Sequence, residues 1–410
     1  MSIADFIEGA EPQIKGRKRG LASNRPLDKT NILFIHCSSV VFGAERRLLD
    51  LTFHLDKNKF NVFALLPEEG PLSEKLRAQG TEVFILDYIF KILPGNTARF
   101  IKITKELLSI IRKNRIDIIH VNLHKKTQNF WLAFFLSGKP VIMNLRENVR
   151  LEIFEKLVIN RFSRILCVSE SIRQAFLKPR LSDILTRFDE KKMIVFYNGL
   201  DTERFKPGPV RSLRQELKAG DDEPLVGLIG AIDPVKGQDI FIQAARLVCD
   251  KYPKARFVMA GDLYAPNVPD KRKRAYKEGL GQAVKDFGFE NNVFMLGFRD
   301  DIPQIMNSID ILVQPSSQEA LGMALVEAMA CEKPVIGTKV DGIPEVIGNE
   351  GAGILIDRTP EALAKAILFY LENPDESGKA GTLGRRRVKE MFDMKKNLLK
   401  LEGTYLQLNI

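Results

Sequence analysis

Ile311-Leu312-Val313-Gln314-Pro315-Ser316-Ser317-Gln318-Glu319-Ala320-Leu321-Gly322-Met323-Ala324-Leu325-Val326-Glu327-Ala328-Met329-Ala330 is the most informative stretch of the 410-residue chain. A short apolar run ends near Gln314, a polar loop follows, and a helix opens near Gly322. A buried strand that turns through a loop into a helix is the repeating unit of a parallel sheet covered on both faces.

The same unit recurs on either side of this stretch. Apolar runs at residues 225–229, 256–260, 293–296, 334–336 and 353–356 are companion strands, and residues 238–249 and 361–371 carry helical periodicity. Thr359-Pro360-Glu361 opens the second of these helices with a side-chain cap followed by proline at the first helical position. Upstream, residues 32–36, 62–66, 83–86, 116–121, 141–145 and 165–168 read as strands, alternating with helical patterns such as 44–55 and 101–113. The alternation halts at Asn198-Gly199 and at Lys206-Pro207-Gly208-Pro209, a connector. The expected fold class is α/β, with two Rossmann-like, doubly wound parallel-sheet domains facing across a cleft. Residues 1–30, with Gly16-Arg17-Lys18-Arg19-Gly20, read as a flexible basic tail, 31–205 as the N-terminal domain and 206–390 as the C-terminal domain. Residues 391–410 are expected to form a helix that packs back towards the N-terminal domain.

Composition narrows the class. Apolar residues make up 45% of the chain, enough for a packed core in each domain. The longest uncharged stretch, residues 30–44, falls short of the ~20 residues that a membrane-spanning helix needs, and no charged-then-apolar leader opens the chain. A soluble, cytoplasmic protein is expected. Cys37, Cys167, Cys249 and Cys331 lie too far apart for a zinc knuckle or a disulfide framework, which suits a reducing compartment. Of the net charge of +10, the excess sits in residues 101–200, which carry 19 basic and 9 acidic residues. That stretch suits an anionic acceptor or an anionic membrane surface, although a solvated lysine-rich face explains it as well. The run 127–136, with Trp131, Phe134 and Phe135, lies inside it. Its aromatics pack in the core or, if exposed, dock the protein peripherally at the inner face of the plasma membrane. Nucleic acid is not an expected partner, because neither zinc-finger spacing nor aromatics interleaved with the basic residues occur there.

In open α/β sheets ligands bind outside the carboxyl ends of the strands, so the loops after strands carry the candidate site. Glu319 and Glu327 bracket Gly322, where the first-turn N–H groups of a helix and its positive dipole end suit a phosphate. An eight-residue step along one helix spans roughly 12 Å, so the two carboxylates would address different parts of one elongated ligand. Two surface glutamates flanking a helix start are the plainer alternative. In Gly227-Leu228-Ile229-Gly230-Ala231-Ile232-Asp233-Pro234-Val235-Lys236-Gly237, the lysine at a helix entrance could meet a diphosphate, and a solvated turn accounts for it equally. Neither Gly-x-Gly-x-x-Gly nor Gly-x-x-x-x-Gly-Lys-Ser/Thr occurs there, against dinucleotide oxidoreductases and P-loop NTPases. In Phe42-Gly43-Ala44-Glu45-Arg46, Gly43 lets the backbone approach a ligand. His36 and the Arg146-Glu147 pair, each at a strand end, are candidates for the acceptor side. His120 and His124 are not expected to hold zinc. No Asp-x-Asp occurs, so no metal and no cofactor are expected.

Glu-x7-Glu, the Gly230–Gly237 turn with its lysine, Phe42-Gly43-Ala44-Glu45, Tyr197-Asn198-Gly199-Leu200-Asp201 and Val335-Ile336-Gly337-Thr338 followed by Gly342-Ile343-Pro344-Glu345 together resemble family 4 glycosyltransferases. These are retaining enzymes of the GT-B fold that use nucleotide sugars. The resemblance runs in order from about Asn31 to the C-terminus. It implies that Glu327 holds the ribose hydroxyls and Glu319 the hydroxyls of the transferred sugar. It places Lys236 and the N–H groups of Leu321, Gly322, Met323 and Ala324 on the diphosphate, Phe298 and Arg299 by the nucleobase, and Gly43 against the phosphate from the other domain.

Two positions depart from the family pattern. Ala231 stands where many members have an arginine, a second diphosphate contact, unless Arg299 or another basic group replaces it. Asn122, in His120-Val121-Asn122, stands where many have a histidine close to the reacting sugar, and an amide cannot take a proton. Lys236, Glu319, Glu147 and Asn122 are the expected catalytic residues. The expected activity is retaining, metal-independent transfer of a sugar from a nucleoside diphosphate sugar to a hydroxyl of a glycan or lipid-linked acceptor, in polysaccharide, lipopolysaccharide or glycolipid assembly. The alternatives are a nucleotide-sugar epimerase or hydrolase on the same fold, or a non-catalytic nucleotide-sugar-binding scaffold.

Overall fold

The computed structural model describes residues 29–41, 43–90, 96–122, 127–148, 153–178, 189–209, 211–263 and 270–409. The expected tail, residues 1–30, lies outside them except for its last two residues. Strands β1 (Thr30–Ile35), β2 (Phe60–Leu66), β3 (Glu82–Ile85), β4 (Ile118–Val121), β5 (Val141–Leu145), β6 (Arg164–Cys167) and β7 (Met193–Val195) form one parallel sheet, ordered β3-β2-β1-β4-β5-β6-β7. Strands β8 (Leu225–Ile229), β9 (Arg256–Ala260), β10 (Val293–Gly297), β11 (Ile311–Gln314), β12 (Val335–Thr338) and β13 (Ile354–Ile356) form a second, ordered β10-β9-β8-β11-β12-β13. The chain is thus two doubly wound α/β domains.

Strands β4 and β5 are buried along their whole length, as parallel strands between two helical layers must be. Helix Thr97–Lys113 lays Phe100, Ile103, Leu107, Leu108 and Ile111 on one face, the spacing of a surface helix covering a sheet. In the second domain Thr359 caps helix Pro360–Glu372 by accepting from the Ala362 N–H, with proline at the first position. Strand β7 and helices Lys271–Asp286 and Pro374–Met391 carry no such pattern in the sequence.

The chain crosses between domains twice, and the crossings lie side by side. The Leu200 N–H donates to the Phe392 carbonyl at 2.6 Å and the Met394 N–H to the Leu200 carbonyl at 3.0 Å. A Cβ on Gly199 would stand 2.7 Å from the Met394 Cα, so only glycine permits this approach. Asp393 caps helix Met394–Leu408, which lays Met394, Leu398, Leu401 and Tyr405 into one apolar cluster with Ile32, Phe34, Leu48 and Phe60 of the first domain.

Strand order reverses between β1 and β4 in one sheet and between β8 and β11 in the other. Crevices form at such switch points. The loops after β1, β8 and β11 meet across the same interdomain cleft.

Candidate active site

A cavity of about 420 Å³ occupies the cleft. Gly43, Lys236, Phe298, Arg299, Glu319, Leu321, Gly322, Met323, Ala324 and Glu327 all line it, whereas Asn122 and Glu147 are not among its described lining residues.

Lys236 owes its position to backbone packing. The Asp233 carboxylate accepts from the Val235 N–H at 3.0 Å and starts the short turn Pro234–Lys236. Gly237 follows in a left-handed conformation, φ 75°, where a Cβ would lie 2.3 Å from the Pro315 carbonyl oxygen. The loops after β8 and β11 therefore touch backbone to backbone, and Lys236 Nζ comes to 2.5 Å from Glu319 Oε2. Gln314 Nε2 donates to the same oxygen. The Glu319 N–H donates to Asp341 at 2.9 Å and its carbonyl accepts from the Gly342 N–H at 2.9 Å, so both ends of this residue are fixed.

Gly322, at φ 97°, ends that loop and precedes helix Met323–Ala330. Its carbonyl accepts from the N–H groups of Leu325 and Val326. Among the described residues no acceptor meets the N–H groups of Met323 and Ala324, which form the positive end of the helix at the cavity. Glu327, one turn further, accepts from Arg47 Nη2 at 3.0 Å. Burial raises the pKa of the Glu327 carboxyl, and the Arg47 charge opposes that shift.

Arg46 and Arg47 enter from the N-terminal domain on helix Gly43–His54. Arg46 donates to Asp300 at 2.9 Å with its guanidinium 5.7 Å over the Phe298 ring, and Arg47 also donates to the Gly199 carbonyl at 3.2 Å. Sequence reasoning gave neither a role. Two cations one turn past a glycine at a strand end were the available signal, but spacing does not say whether they face the cleft or the solvent. Arg299, one candidate to replace the cation absent at Ala231, pairs with Asp301 at 2.7 Å and with Glu216 at 2.8 Å. Its charge is engaged within its own domain, and those carboxylates raise its pKa further.

Behind the cavity wall lies a buried polar chain. Asn122 Oδ1 accepts from Asn144 Nδ2 at 2.9 Å and from Arg146 Nη2 at 3.0 Å. Asn122 Nδ2 then faces His36 Nδ1 at 3.1 Å, and His36 Nε2 lies 2.7 Å from Glu45 Oε1. His36, Glu45 and Asn122 are buried, while Arg146, which donates to Asn198 at 2.8 Å, reaches the cavity. Both Asn122 and His36 thus stand behind Arg146 rather than on the wall. Glu147 follows Arg146 in the chain at intermediate exposure.

Residues 41–204 match the model of Glycosyltransferase Family 4, and residues 210–387 match that of Glycosyl transferases group 1. The chain belongs to glycosyltransferase family 4. The boundary between the two matches falls in the connector that the sequence marks. The UDP-Gal:alpha-D-GlcNAc-diphosphoundecaprenol alpha-1,3-galactosyltransferase of Escherichia coli is 24% identical over 356 residues, which is 80% of this chain and 84% of that one. The D-inositol 3-phosphate glycosyltransferase of Segniliparus rotundus is 28% identical over 199 residues, 48% of this chain and 43% of that one, so the matched segment spans less than half of that relative. Among solved structures, Anabaena HepE in complex with UDP and glucose shares the fold with a TM-score of 0.76 at 24% identity, covering 91% of this chain and 98% of HepE. A glycosyltransferase from Rickettsia africae gives a TM-score of 0.81 at 20% identity, covering 93% and 99%.

Other sequence candidates of this family 4 chain lie away from the cavity. His120 Nδ1 lies 2.5 Å from the Tyr405 hydroxyl, and burial lowers its pKa to about 3. His124 lies outside the described residues. Among the described residues no group of three His, Cys, Asp or Glu side chains is gathered as for a metal ion, and none of the four cysteines is in a disulfide. Of the aromatics in the run 127–136, Phe134 is buried, Trp131 stacks on Phe100, and Phe135 is 66% exposed. Among the described residues no helix is long and apolar enough to cross a membrane.

Proposed function

We propose that this protein is a retaining glycosyltransferase that moves a sugar from a nucleoside diphosphate sugar to a hydroxyl of a glycan or lipid-linked acceptor. One observation carries the reading: Glu319, paired with Lys236, and Glu327, paired with Arg47, line one interdomain cavity on either side of the helix start at Gly322. That arrangement suits a ligand with hydroxyls at both ends and a diphosphate between them. Glu327 would accept from the ribose, Glu319 from the transferred sugar, and Lys236 with the N–H groups of Met323 and Ala324 would neutralise the departing diphosphate. Fixed donors in a closed cleft stabilise that charge without reorganisation and exclude the water that would otherwise hydrolyse the donor.

No side chain on the cavity wall is assigned as a nucleophile in this reading. The acceptor attacks the face that the diphosphate leaves, and the leaving phosphate takes the acceptor's proton. The E. coli relative is named for UDP-galactose and a diphosphoundecaprenol-linked acceptor, and HepE was solved with UDP. A UDP-sugar and a lipid-linked diphosphate sugar are therefore the first pair to test. The exposed Phe135, within the basic stretch, supports peripheral docking on an anionic membrane at its cytoplasmic face, as an assembly enzyme for polysaccharide, lipopolysaccharide or glycolipid requires.

A thermal-shift screen of UDP, GDP, ADP, CMP and their sugar conjugates, with and without chelator, tests the reading. A ligand at 100 times its dissociation constant stabilises the native state by about 2.7 kcal/mol. The expected result is one nucleotide whose shift survives chelation and falls by about half or more in Glu327→Ala. Folded protein that responds to none of them rules the reading out.

A further inference from the structure

Arg146 differs from the other cations of the cavity. Arg46 has Asp300, Arg47 has Glu327, Lys236 has Glu319 and Arg299 has Asp301 and Glu216. Among the described residues Arg146 meets only neutral amides, Asn198 at 2.8 Å and Asn122 at 3.0 Å, and its Nε is buried without a partner. A cation in a low-dielectric setting is ordinarily paired, because its desolvation is costly otherwise. Consistent with this, burial and the Arg47 charge lower the Arg146 pKa to about 10.

The surrounding side chains hold the guanidinium in place without neutralising it. Asn122 Oδ1 receives two donors, Arg146 Nη2 and Asn144 Nδ2, which turns its Nδ2 towards His36 Nδ1. The His36 ring then accepts at Nδ1 and donates from Nε2 to Glu45. A buried carboxylate thereby stands two side chains away from the guanidinium, aligned with it but not touching it. Asparagine suits position 122 because its carbonyl oxygen accepts two hydrogen bonds at once, which an imidazole cannot.

We infer that Arg146 is a phosphate-binding residue of the cleft, supplying from the N-terminal domain the cation that Ala231 lacks in the C-terminal domain, with Asn122 and Asn198 as its positioning residues. The inference rests on the proposed nucleotide-sugar site. The phosphate is that of the donor diphosphate or one carried by the acceptor, and guanidinium forks suit either.

The test is calorimetric titration of UDP, uridine and inorganic pyrophosphate into wild type, Arg146→Gln, Arg146→Lys and Asn122→His, all first shown to melt cooperatively. With the donor as source, R146Q weakens UDP and pyrophosphate at least tenfold and leaves uridine unchanged, R146K recovers part of the loss, and N122H shows an intermediate loss. With the acceptor as source, UDP and pyrophosphate affinities hold while the KM for a lipid diphosphate acceptor rises at least tenfold in R146Q. Unchanged values in both arms overturn the inference. If wild type binds pyrophosphate but neither UDP nor uridine, the nucleotide-sugar reading fails while the pyrophosphate arm still decides for or against Arg146. Wild type that binds none of the three, with no acceptor effect in R146Q, overturns both.

Discussion

Arg47 Nη2 lies 3.0 Å from Glu327 Oε1, so a guanidinium from the N-terminal domain holds a carboxylate of the C-terminal domain across the cleft. The pair joins the proposed nucleotide site to the relative position of the two domains. A change at either residue should therefore alter both nucleotide affinity and its response to pH.

Glu327→Ala removes the proposed charged acceptor for the ribose and should weaken nucleotide binding by about ten- to a hundredfold, since hydrogen bonds to charged groups contribute about 1.5–3 kcal/mol. Arg47→Ala leaves the carboxylate in place but removes the charge that opposes its raised pKa. A protonated carboxyl loses acceptor capacity, so affinity in R47A should fall on acidification at a higher pH than in wild type. Titrations at several pH values check this, and identical pH profiles would refute it.

Lys236→Ala should lower kcat by about 10²–10³-fold, the scale of losing one preorganised donor to a developing oxyanion. It also leaves Glu319 without its cation, so Glu319→Gln in the K236A background should recover donor affinity but not kcat. Steady-state kinetics of the single and double variants separate the two effects.

Gly342→Ala tests the loop that leads into the cavity-facing N–H groups of Met323 and Ala324. A Cβ there would stand 2.4 Å from the Ala320 carbonyl oxygen and 2.7 Å from the Leu321 Cα. Since φ is −81°, the obstacle is contact rather than backbone strain. Overpacking of this kind costs about 1–3 kcal/mol. The expected outcome is a lower melting temperature together with at least tenfold weaker nucleotide binding, because residues 320–322 must move.

Glu345 accepts from the backbone N–H groups of Glu170 at 2.7 Å and Ser171 at 2.6 Å, and from the Tyr197 hydroxyl at 3.2 Å. A carboxylate of one domain thus caps helix Glu170–Leu177 of the other. Glu345→Ala should widen the cleft, seen as a larger radius of gyration in small-angle scattering, and raise donor hydrolysis relative to transfer. Unchanged scattering would show that the cap does not set the domain position.

His120 predicts an acid sensitivity. Its pKa is held at about 3 in the folded protein, against about 6.5 in an unfolded chain. Between those values the unfolded state binds the proton and the folded state does not, so stability falls as pH drops through that window, by up to about 1.4 kcal/mol per pH unit. His120→Asn should flatten the difference in denaturant midpoint between pH 7 and pH 5.

Much of this fold is legible because buried parallel strands are short apolar runs. Strands β8, β9 and β11 coincide with the runs at 225–229, 256–260 and 311–314. Strand β7 escapes notice because it is three residues long and buries Met193 while leaving Ile194 exposed. Helix Lys271–Asp286 buries only Leu280 and Val284, and helix Pro374–Met391 buries Ala380, Gly381, Gly384 and Val388, residues too few or too small to show periodicity. In the site, Glu319, Lys236 and Gly322 could be read because local loop geometry places them. Arg47 and Arg146 could not, because Arg47 meets Glu327 only across the cleft, and Arg146 meets Asn122 and Asn198 only once separate segments of the N-terminal half have packed together.

The helix Met394–Leu408 completes the apolar cluster of the first domain, yet it is made after the whole second domain. During synthesis, the emerging N-terminal half exposes the groove around Ile32, Phe34, Leu48 and Phe60 until Leu398, Leu401 and Tyr405 arrive to fill it. The order of translation and the order of completion therefore run in opposite directions. A polypeptide ending at the connector is left with this apolar groove uncovered, the kind of exposed surface that makes incompletely assembled chains prone to aggregate.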